Sequence, residues 1–379
     1  MPFTETIARV DSREALAERY APLYRILEAE AAAADTAGEL PDRVLDALRS
    51  SGILGAAVPR EYGGQGGDAV LTNRLIEQVA GLDPSVSIIL FQHFAVCARI
   101  TEWGTSAQRE YYLPRLADGS WLAASAWSES GAGADKRNIA TKAVRAGNGW
   151  ILDGAKAFTT GAGLAQVYLI LAQSAAPGGG DLVYGSDGQS FYLVEADTPG
   201  LVADTSLDLV GMRASATGFV ELRSCQVPDS ALLGPAGKAA TIIAGVRGSG
   251  ATLGAVAVGI ADAVYRMALA KARKQGLTDN QLTRDRLSDL SARVEGVRAV
   301  VEAAGRREGP NPGLTTLRSK VMASTLAEEI CLQVQRYLGS AGFVAGHPVN
   351  RLARDVRAVC LMGPTNDLCR QLISAEQPS

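Results

Sequence analysis

Histidine is almost missing from this chain: only His93 and His347 occur among its 379 residues. A metal site built from several histidines is therefore excluded. The five cysteines are widely spaced, form no C-x-x-C pair and lie mostly in apolar runs. That pattern is typical of reduced core thiols rather than of disulfides or zinc ligands.

Strong charge of either sign is also lacking. The formal net charge is −3 at pH 7, and arginines are scattered among acidic residues along helical stretches. This distribution offers no basic patch for nucleic acid or an anionic membrane. The N-terminal residues form no basic-then-apolar signal segment, and no uncharged apolar run reaches the roughly 18–20 residues that cross a bilayer. We therefore expect a cytoplasmic protein that contacts neither nucleic acid nor membrane.

Three regions of different periodicity follow one another along the chain. Residues 1–118 are helix-like, as in Leu40–Gly52, where apolar residues recur at helical spacing between an entry proline and an exit glycine. Residues 119–232 contain short β-branched or aromatic runs, and Asn148-Gly149 between two of them predicts a tight hairpin. Residues 233–379 return to long helical patterns with broad Ala- and Val-rich faces.

The predicted fold class is therefore α+β multidomain. An N-terminal α-helical domain is expected over residues 1–118, a middle antiparallel β domain over 119–232 and a C-terminal helical bundle over 233–379. Glycine-rich stretches at 177–180 and 185–188 predict a long exposed loop.

The predicted strands are Trp121–Trp127, Lys142–Arg145, Trp150–Leu152, Val167–Ala172, Phe191–Val194 and Gly218–Leu222. The predicted C-terminal helices are Ala251–Lys274, Asp279–Arg306 and Leu317–Leu338.

Five short motifs occur in a fixed order. They are V-P-R-E-Y-G-G (Val58–Gly64), W-S-E-S-G-A-G-A-D (Trp127–Asp135), F-T-T (Phe158–Thr160), G-M-R-A-S-A-T (Gly211–Thr217) and P-V-N-R-L-A-R-D (Pro348–Asp355). Each motif is weak by itself, but their order and spacing together resemble the acyl-CoA dehydrogenase family over nearly the whole chain. The resemblance implies the fold of that family, with a four-helix bundle as the C-terminal domain, and an FAD cofactor.

The resemblance also implies which residues hold FAD. Ser128 and Thr160 would offer hydroxyls to the polar edge of the flavin, and Phe158 would pack against the ring, with Trp127 and Thr159 beside them. Phe158 could instead be β-core filler, and Thr160 a residue on the strand surface.

Two further cofactor contacts follow from the resemblance. Arg273 stands where the family reaches the FAD diphosphate of a neighbouring subunit, and Thr365 keeps the position of another FAD contact. Arg273 could instead be a cation that the helix dipole favours at a C-terminus. Thr365 could be the N-cap of the helical segment 366–373.

The usual catalytic base is missing from both positions that the family uses for it. The family places a Glu where this chain has Gly363, and some members place it where this chain has Ser249. A positioned base typically contributes about 10²–10⁴ in rate. The sequence therefore predicts an altered proton-transfer step.

The residues expected to line the acyl pocket are Gln92, His93 and Ser215. His93 matches a helix that lines this pocket in the family, and an imidazole can act there as acid, base or hydrogen-bond donor. The alternative is a half-buried helix histidine bonded to a carbonyl group.

The leading hypothesis is an FAD oxidoreductase that acts on an acyl thioester of CoA or of an acyl-carrier protein, as a homodimer or homotetramer. The electron acceptor and the acyl chain are not indicated. One alternative is a flavin monooxygenase on the same fold, which needs no α-carbon base. The other is a base-less subunit that binds FAD and pairs with a homologous subunit carrying the Glu.

Overall fold

The computed structural model describes residues 12–132, 136–176 and 185–376. Within residues 12–118, the N-terminal part contains six α-helices. They are α1 (Arg13–Arg19), α2 (Ala21–Ala37), α3 (Asp42–Ser50), α4 (Ala69–Ala80), α5 (Pro84–Trp103) and α6 (Ser106–Ala117). The predicted helix at Leu40–Gly52 is α3, whose Val44 and Leu48 are buried one turn apart. Gly52 then adopts a left-handed φ of 76° and ends the helical segment.

The loop after α3 is tightly folded, as its glycines predict. Two short 3₁₀ turns, Ile53–Ala57 and Arg60–Tyr62, replace regular structure there. A Cβ atom at Gly64 would collide with the carbonyl oxygen of Val58, so only glycine allows this close approach.

The described residues of the middle part form one sheet of eight strands. They are β1 (Ala123–Ala126), β2 (Lys142–Ala146), β3 (Gly149–Thr159), β4 (Val167–Gln173), β5 (Gln189–Glu195), β6 (Leu201–Asp204), β7 (Gly218–Pro228) and β8 (Leu232–Leu233). The order is β6-β7-β3-β2-β4-β5-β8, with β1 paired to β4. All six predicted strands are present, whereas β6 and β8 were not predicted.

Two details of the sheet differ from the prediction. The pairing of β1 with β4, and the single pair between β2 and β4, are parallel, so the sheet is mixed and only predominantly antiparallel. The β2–β3 hairpin exists, but Ala146 pairs with Gly149, so its two turn residues are Gly147 and Asn148. The turn lies one residue earlier than predicted because Gly147 takes the left-handed conformation, with a φ of 55°. Most of the predicted loop, residues 177–184, lies outside the described residues.

The C-terminal part is again helical. It contains α7 (Ala239–Gly248), α8 (Gly254–Lys274), α9 (Gln281–Gly305), α10 (Pro312–Leu338), α11 (Pro348–Leu361) and α12 (Asn366–Ala375). Helices α8 to α11 pack together as the expected four-helix bundle, and α12 lies against α10. The helix predicted from Leu317 begins earlier, since Asn311 caps it and Pro312 occupies its first turn.

Helix α5 lies at the centre of the molecule, against α4, α6 and β1. Among the described residues it is the one helix long and apolar enough to cross a membrane, but 72% of its most apolar window is buried inside the protein. Such burial is typical of a core helix. Helix α5 thus connects the N-terminal helices to the sheet and brings one of its faces to the cavity described next.

Candidate active site

A cavity of about 660 Å³ lies where the three parts of the fold meet. Helix α5, strands β1 and β3, the α7–α8 segment, α10 and the loop after α11 all contribute side chains to its wall. The predicted site residues that line it are Gln92, Trp127, Ser128, Phe158, Thr160, Ser215, Gly363 and Thr365. The structure therefore brings together residues that are up to 273 positions apart in sequence.

Phe158 is the most unusual side chain of the sheet. The β3–β7 register shifts between Lys156 and Thr159, and Phe158 adopts a left-handed φ of 54° within this bulge. Its ring leaves the sheet and is 63% exposed along the cavity wall. The β-core alternative for Phe158 is therefore wrong. Backbone strain of this kind at a non-glycine residue is concentrated at functional sites.

Polar groups surround this exposed ring. The Thr160 Oγ1 lies 3.0 Å from Thr217 Oγ1, which in turn lies 2.7 Å from Ser215 Oγ. Lys136 Nζ donates to Ser128 Oγ at 2.7 Å. The buried indole N–H of Trp127 has no hydrogen-bond partner among the described residues. An aromatic face bordered by hydroxyls and an open donor fits a flat ring with a polar edge, and the isoalloxazine of FAD is such a ring.

Thr159 does not take part in this arrangement through its side chain. It is fully buried, its hydroxyl finds no partner among the described residues, and it is not among the residues that line the cavity. Because Phe158 occupies the bulge, Thr159 resumes the strand with its side chain in the interior. Thr159 therefore does not belong to the described cavity wall, and its contact with the cofactor remains a prediction.

A buried ion pair supports the two strands behind the cavity wall. Lys156 Nζ donates to Glu129 Oε1 at 2.6 Å, and Glu129 also accepts from the backbone N–H groups of Ala140 and Thr141. Burial lowers the pKa of Lys156 to about 8. Burial would raise the pKa of Glu129, but the attraction of Lys156 and the hydrogen bonds bring it below its usual value. Glu129 is thus an engaged carboxylate that fixes the segment around Ser128.

The motif Gly211–Thr217 docks on helix α11, which explains why two distant motifs occur together. The backbone N–H of Met212 donates to Asp355 Oδ1 at 2.6 Å, and a Cβ at Gly211 would meet the carbonyl oxygen of Arg354 at 2.5 Å. Burial raises the pKa of Asp355 to about 7. This contact holds Ser215 and Thr217 against the cavity.

Gly363 lies on the cavity wall in the loop that follows α11. A Cβ built there would meet no described atom within 4 Å, and the φ of Gly363 lies outside the left-handed region. A side chain at this position would therefore extend into open space. No other carboxylate takes its place, since Glu129 is the one acidic side chain among the described residues that line the cavity.

Ser249, the alternative base position, lies outside this wall. Its hydroxyl donates to Val246 O at 2.8 Å and accepts from the N–H of Ala251, at the C-terminal end of α7. It is not among the described cavity-lining residues. At the neighbouring Gly250, which has a φ of 86°, a Cβ would collide with the carbonyl oxygen of Ala304. Neither known position thus supplies a base.

His93 is not a catalytic or substrate-binding residue in this structure. It is 0% exposed and is absent from the described residues that line the cavity. Its Nε2 lies 3.1 Å from the carbonyl oxygen of Leu54, and its Nδ1 accepts from the N–H of Ala123 at 3.3 Å. These partners fix the neutral tautomer with the proton on Nε2, and burial lowers the pKa of His93 to about 4. The structural alternative is the better description, since the imidazole ties α5 to β1 and to the 3₁₀ turn at Leu54.

Thr365 and Arg273 have different positions. Thr365 lines the cavity and also caps α12, where its Oγ1 accepts from the N–H of Leu368 at 3.2 Å. Arg273 lies exposed in the last turn of α8 and is not among the described cavity-lining residues. Its contact with the cofactor of a neighbouring subunit remains a prediction.

Three buried cations among the described cavity-lining residues were not predicted from the sequence: Lys136, described above with Ser128, and Lys320 and Arg99. Lys320 Nζ donates to the carbonyl oxygens of Pro364 at 2.7 Å and Met362 at 3.2 Å, and so holds the loop that carries Gly363. Burial lowers the pKa of Lys320 to about 8. Arg99 enters the wall from α5. The signal for Lys320 and Arg99 was a charged residue within an otherwise apolar helical face.

Comparison with known proteins agrees with this geometry. Three domain families match the sequence: Acyl-CoA dehydrogenase, N-terminal domain, over residues 9–120; middle domain, over 124–225; and C-terminal domain, over 242–377. A probable acyl-CoA dehydrogenase, fadE25, of Mycobacterium bovis is 32% identical over 353 residues, which are 91% of this chain and 89% of that protein.

Two further relatives cover almost the whole chain. The cyclohexane-1-carbonyl-CoA dehydrogenase of Geobacter metallireducens is 30% identical over 98% of this chain and 96% of its own length. The structure of butyryl-CoA dehydrogenase from Megasphaera elsdenii superposes with a TM-score of 0.87 at 26% identity, over 96% of this chain and 97% of that one. The chain therefore belongs to the acyl-CoA dehydrogenase family of flavoprotein oxidoreductases, whose cofactor is FAD.

Proposed function

We propose that this enzyme oxidises an acyl thioester, carried by CoA or by a carrier protein, without a protein carboxylate at the α-carbon. The observation that carries the proposal is the combination of a cavity wall that suits a flavin, with Phe158, Ser128 and Thr160, and an open position at Gly363. The Geobacter and Megasphaera relatives are named as dehydrogenases of acyl-CoA substrates. We extend that substrate class, acyl thioesters, to this chain.

The roles of the residues follow from their positions. Ser128, Thr160 and the indole N–H of Trp127 would bond the polar edge of the isoalloxazine, and Phe158 would cover its face and exclude water. FAD, when bound, accepts the two electrons that leave the substrate. Lys320 keeps the 362–364 loop against the cavity, and Gln92 of α5 borders the space for the acyl group.

The α-proton has no carboxylate acceptor on the described part of the cavity wall. Glu129 is paired with Lys156, and His93 is buried away from the wall with both nitrogens bonded. Water or a basic group of the substrate would have to accept the proton instead. Since a positioned base is worth about 10²–10⁴ in rate, oxidation of a simple saturated acyl thioester should be slow.

Anaerobic flavin bleaching tests the proposal. The purified FAD-bound protein is mixed with saturated acyl-CoA and acyl-carrier thioesters, and flavin absorbance is followed with time. We expect slow bleaching with at least one thioester class. If no thioester bleaches or perturbs the flavin, the proposed function is wrong. Reductant-dependent oxygen uptake would indicate a monooxygenase, and a co-purified homologous chain with a Glu at the base position would indicate a base-less subunit.

We also propose a cytoplasmic homodimer or homotetramer. Large apolar side chains are exposed on the C-terminal part, including Phe343 at 94% and Leu361 at 74%. A second copy would remove such groups from water. Light scattering of the FAD-bound protein measures the assembly directly, and a monomer at working concentrations would contradict this part of the proposal.

A further inference from the structure

Arg99 is a charged residue at a place where the fold otherwise puts apolar groups. Helix α5 is buried along most of its length, and Arg99 is only 2% exposed. Phe91, Ala95 and Arg99 follow at four-residue intervals and so lie on one face of the helix. All three line the cavity. The face that α5 presents to the ligand is thus apolar at Phe91 and Ala95 and positively charged one turn further.

The guanidinium of Arg99 is only partly satisfied by protein groups. Its Nη2 donates to Glu102 Oε1 at 2.9 Å, and the Glu102 side chain is 43% exposed at the outer end of the pair. The Nε–H of Arg99 is buried and has no hydrogen-bond partner among the described residues. Burial lowers the pKa of Arg99 despite the attraction of Glu102. A buried, open donor on a desolvated cation is costly unless a ligand accepts from it.

The charged side chains of the cavity wall also favour an anionic ligand. The cations among its described lining residues are Arg99, Lys136, Arg247, Lys320, Arg354 and Arg357. The one carboxylate among them, Glu129, is paired with Lys156, and Arg354 is paired with Asp35 outside the wall. A ligand that brings negative charge would therefore improve the balance. At Arg99 that charge must be fully desolvated, which suits a small carboxylate better than a doubly charged phosphate. The planar guanidinium also matches the geometry of a carboxylate.

We infer that Arg99 binds a carboxylate on the acyl part of the substrate, so that the enzyme prefers acyl thioesters whose acyl group bears a second, free carboxyl group. This inference rests on the proposed function, because it places the anion on a thioester. Phe91 and Ala95 would contact the methylene carbons between the thioester and the carboxylate. Arg99 is then a determinant of specificity.

The test compares matched neutral and anionic ligands on the FAD-bound protein. The probes are N-acetylcysteamine thioesters, which carry no phosphate: propionyl to hexanoyl as the neutral series, and malonyl to adipyl half-thioesters as the anionic series. Dissociation constants are measured anaerobically from the change in flavin absorbance. We expect one anionic thioester to bind about 10–100-fold more tightly than the neutral thioester of equal carbon number. Equal or weaker binding of every anionic member would overturn the inference without any variant.

Variants separate ligand recognition from a structural ion pair. Arg99→Met should abolish the preference for the anionic thioester and change the affinity for its neutral counterpart less than threefold. Arg99→Lys should keep part of the preference. Glu102→Gln breaks the same ion pair but leaves the cation, so it should keep or increase the preference. If Glu102→Gln loses the preference as fully as Arg99→Met does, Arg99 is structural and the inference is wrong.

A thioester-free arm distinguishes failure of the inference from failure of the proposed function. Pentanoate and its neutral isostere pentanamide are titrated into the FAD-bound protein by calorimetry. If no thioester binds but pentanoate binds more tightly than pentanamide and Arg99→Met removes the difference, the carboxylate site stands and the thioester function is wrong. If neutral thioesters bleach the flavin and neither anionic series binds preferentially, the proposed function stands and the carboxylate site is wrong.

Discussion

Replacing Gly363 by Glu should increase the rate at which a saturated acyl thioester reduces the flavin. The Cβ of residue 363 would meet no described atom within 4 Å, and the residue does not need the conformational freedom of glycine. Lys320 holds the carbonyl oxygens of Met362 and Pro364 on either side, so the backbone that would carry the carboxylate is fixed. The new side chain would therefore enter the cavity from a rigid support.

The expected gain follows from two opposing terms. A positioned general base is worth about 10²–10⁴ in rate. Ordering a long side chain costs about 1.5–2 kcal/mol, which at 1.4 kcal/mol per factor of ten removes roughly one order of magnitude. We therefore expect Gly363→Glu to reduce its flavin about 10–10³ times faster than the parent enzyme.

The assay is anaerobic stopped-flow at saturating thioester, with Gly363→Gln as the matched control. Gln has the size and hydrogen-bonding capacity of Glu but cannot take up a proton at neutral pH, so it should stay at the rate of the parent. Equal rates for the Glu and Gln variants would refute the reasoning. A parent enzyme that already reaches roughly 1–10³ s⁻¹, the ordinary range of enzymes, would show that another base is in place.

Three further predictions concern buried titratable groups. Glu77→Gln should lower the free energy of unfolding by about 3 kcal/mol, the low end for breaking a buried ion pair. Arg13 and Arg298 both bond the Glu77 carboxylate at 2.7 Å, but each keeps another acidic partner. Urea unfolding measures the change, and a loss below about 1 kcal/mol contradicts the prediction. Folding lowers the pKa of His93 from 6.5 to about 4. Between pH 4 and pH 6.5, therefore, His93 binds a proton in the unfolded chain but not in the folded protein. The stability that depends on neutral His93 is fully present above pH 6.5 and is lost as the pH falls, by about 2 kcal/mol at pH 5. His93→Gln should remove that part of the acid sensitivity in urea unfolding at pH 7 and 5, and identical pH dependence in both proteins would contradict the assignment. Lys320→Met should slow flavin reduction at least tenfold while the Kd for FAD changes less than threefold, and loss of FAD binding would instead mean that the lysine supports the whole cofactor site.

The elements of the fold were largely predictable because they depend on local patterns. Periodicity and helix-end signals located α3, α8, α9 and α10, whereas most of the other helices were predicted only as part of a helical region. The start of α10 was missed despite a recognisable signal, Asn311 followed by Pro312. Strand β6 was missed because Leu201–Asp204 is a four-residue edge strand with a weak alternating pattern. The parallel pairing of β1 with β4 joins residues about 44 positions apart. No hairpin turn connects these two strands, so the sequence contains no local signal that predicts their pairing.

The site was predictable where a motif carries it. Ser128, Phe158 and Thr160 belong to contiguous motifs, Gly363 follows the last motif by eight residues, and all four lie on the cavity wall. His93 was misassigned because helical position gives the face of a residue but not its depth or its partners. The imidazole lies among Leu54, Cys97 and Ala123, from three separate segments. Those contacts exist only after folding.

The cations that the sequence did not identify have a common physical origin. Lys320 and Arg99 each lie on a buried helix face. The partners of Lys320 are loop carbonyls about 40 residues away, and the partner that we infer for the open Nε–H of Arg99 is a carboxylate of the substrate. A helical pattern describes burial and cannot show what satisfies a buried charge.

Among the described residues, the cavity wall has fixed positive groups and one carboxylate, which is engaged in an ion pair. The negative charge that its chemistry lacks must therefore come from outside the present wall. Gly363→Glu supplies that charge from the protein, and a dicarboxylic half-thioester supplies it from the substrate. Gly363→Glu should change the rate of flavin reduction, whereas the carboxylate of the half-thioester should change the affinity for the substrate. The two experiments therefore test two separate consequences of the shortage of negative charge in the cavity wall.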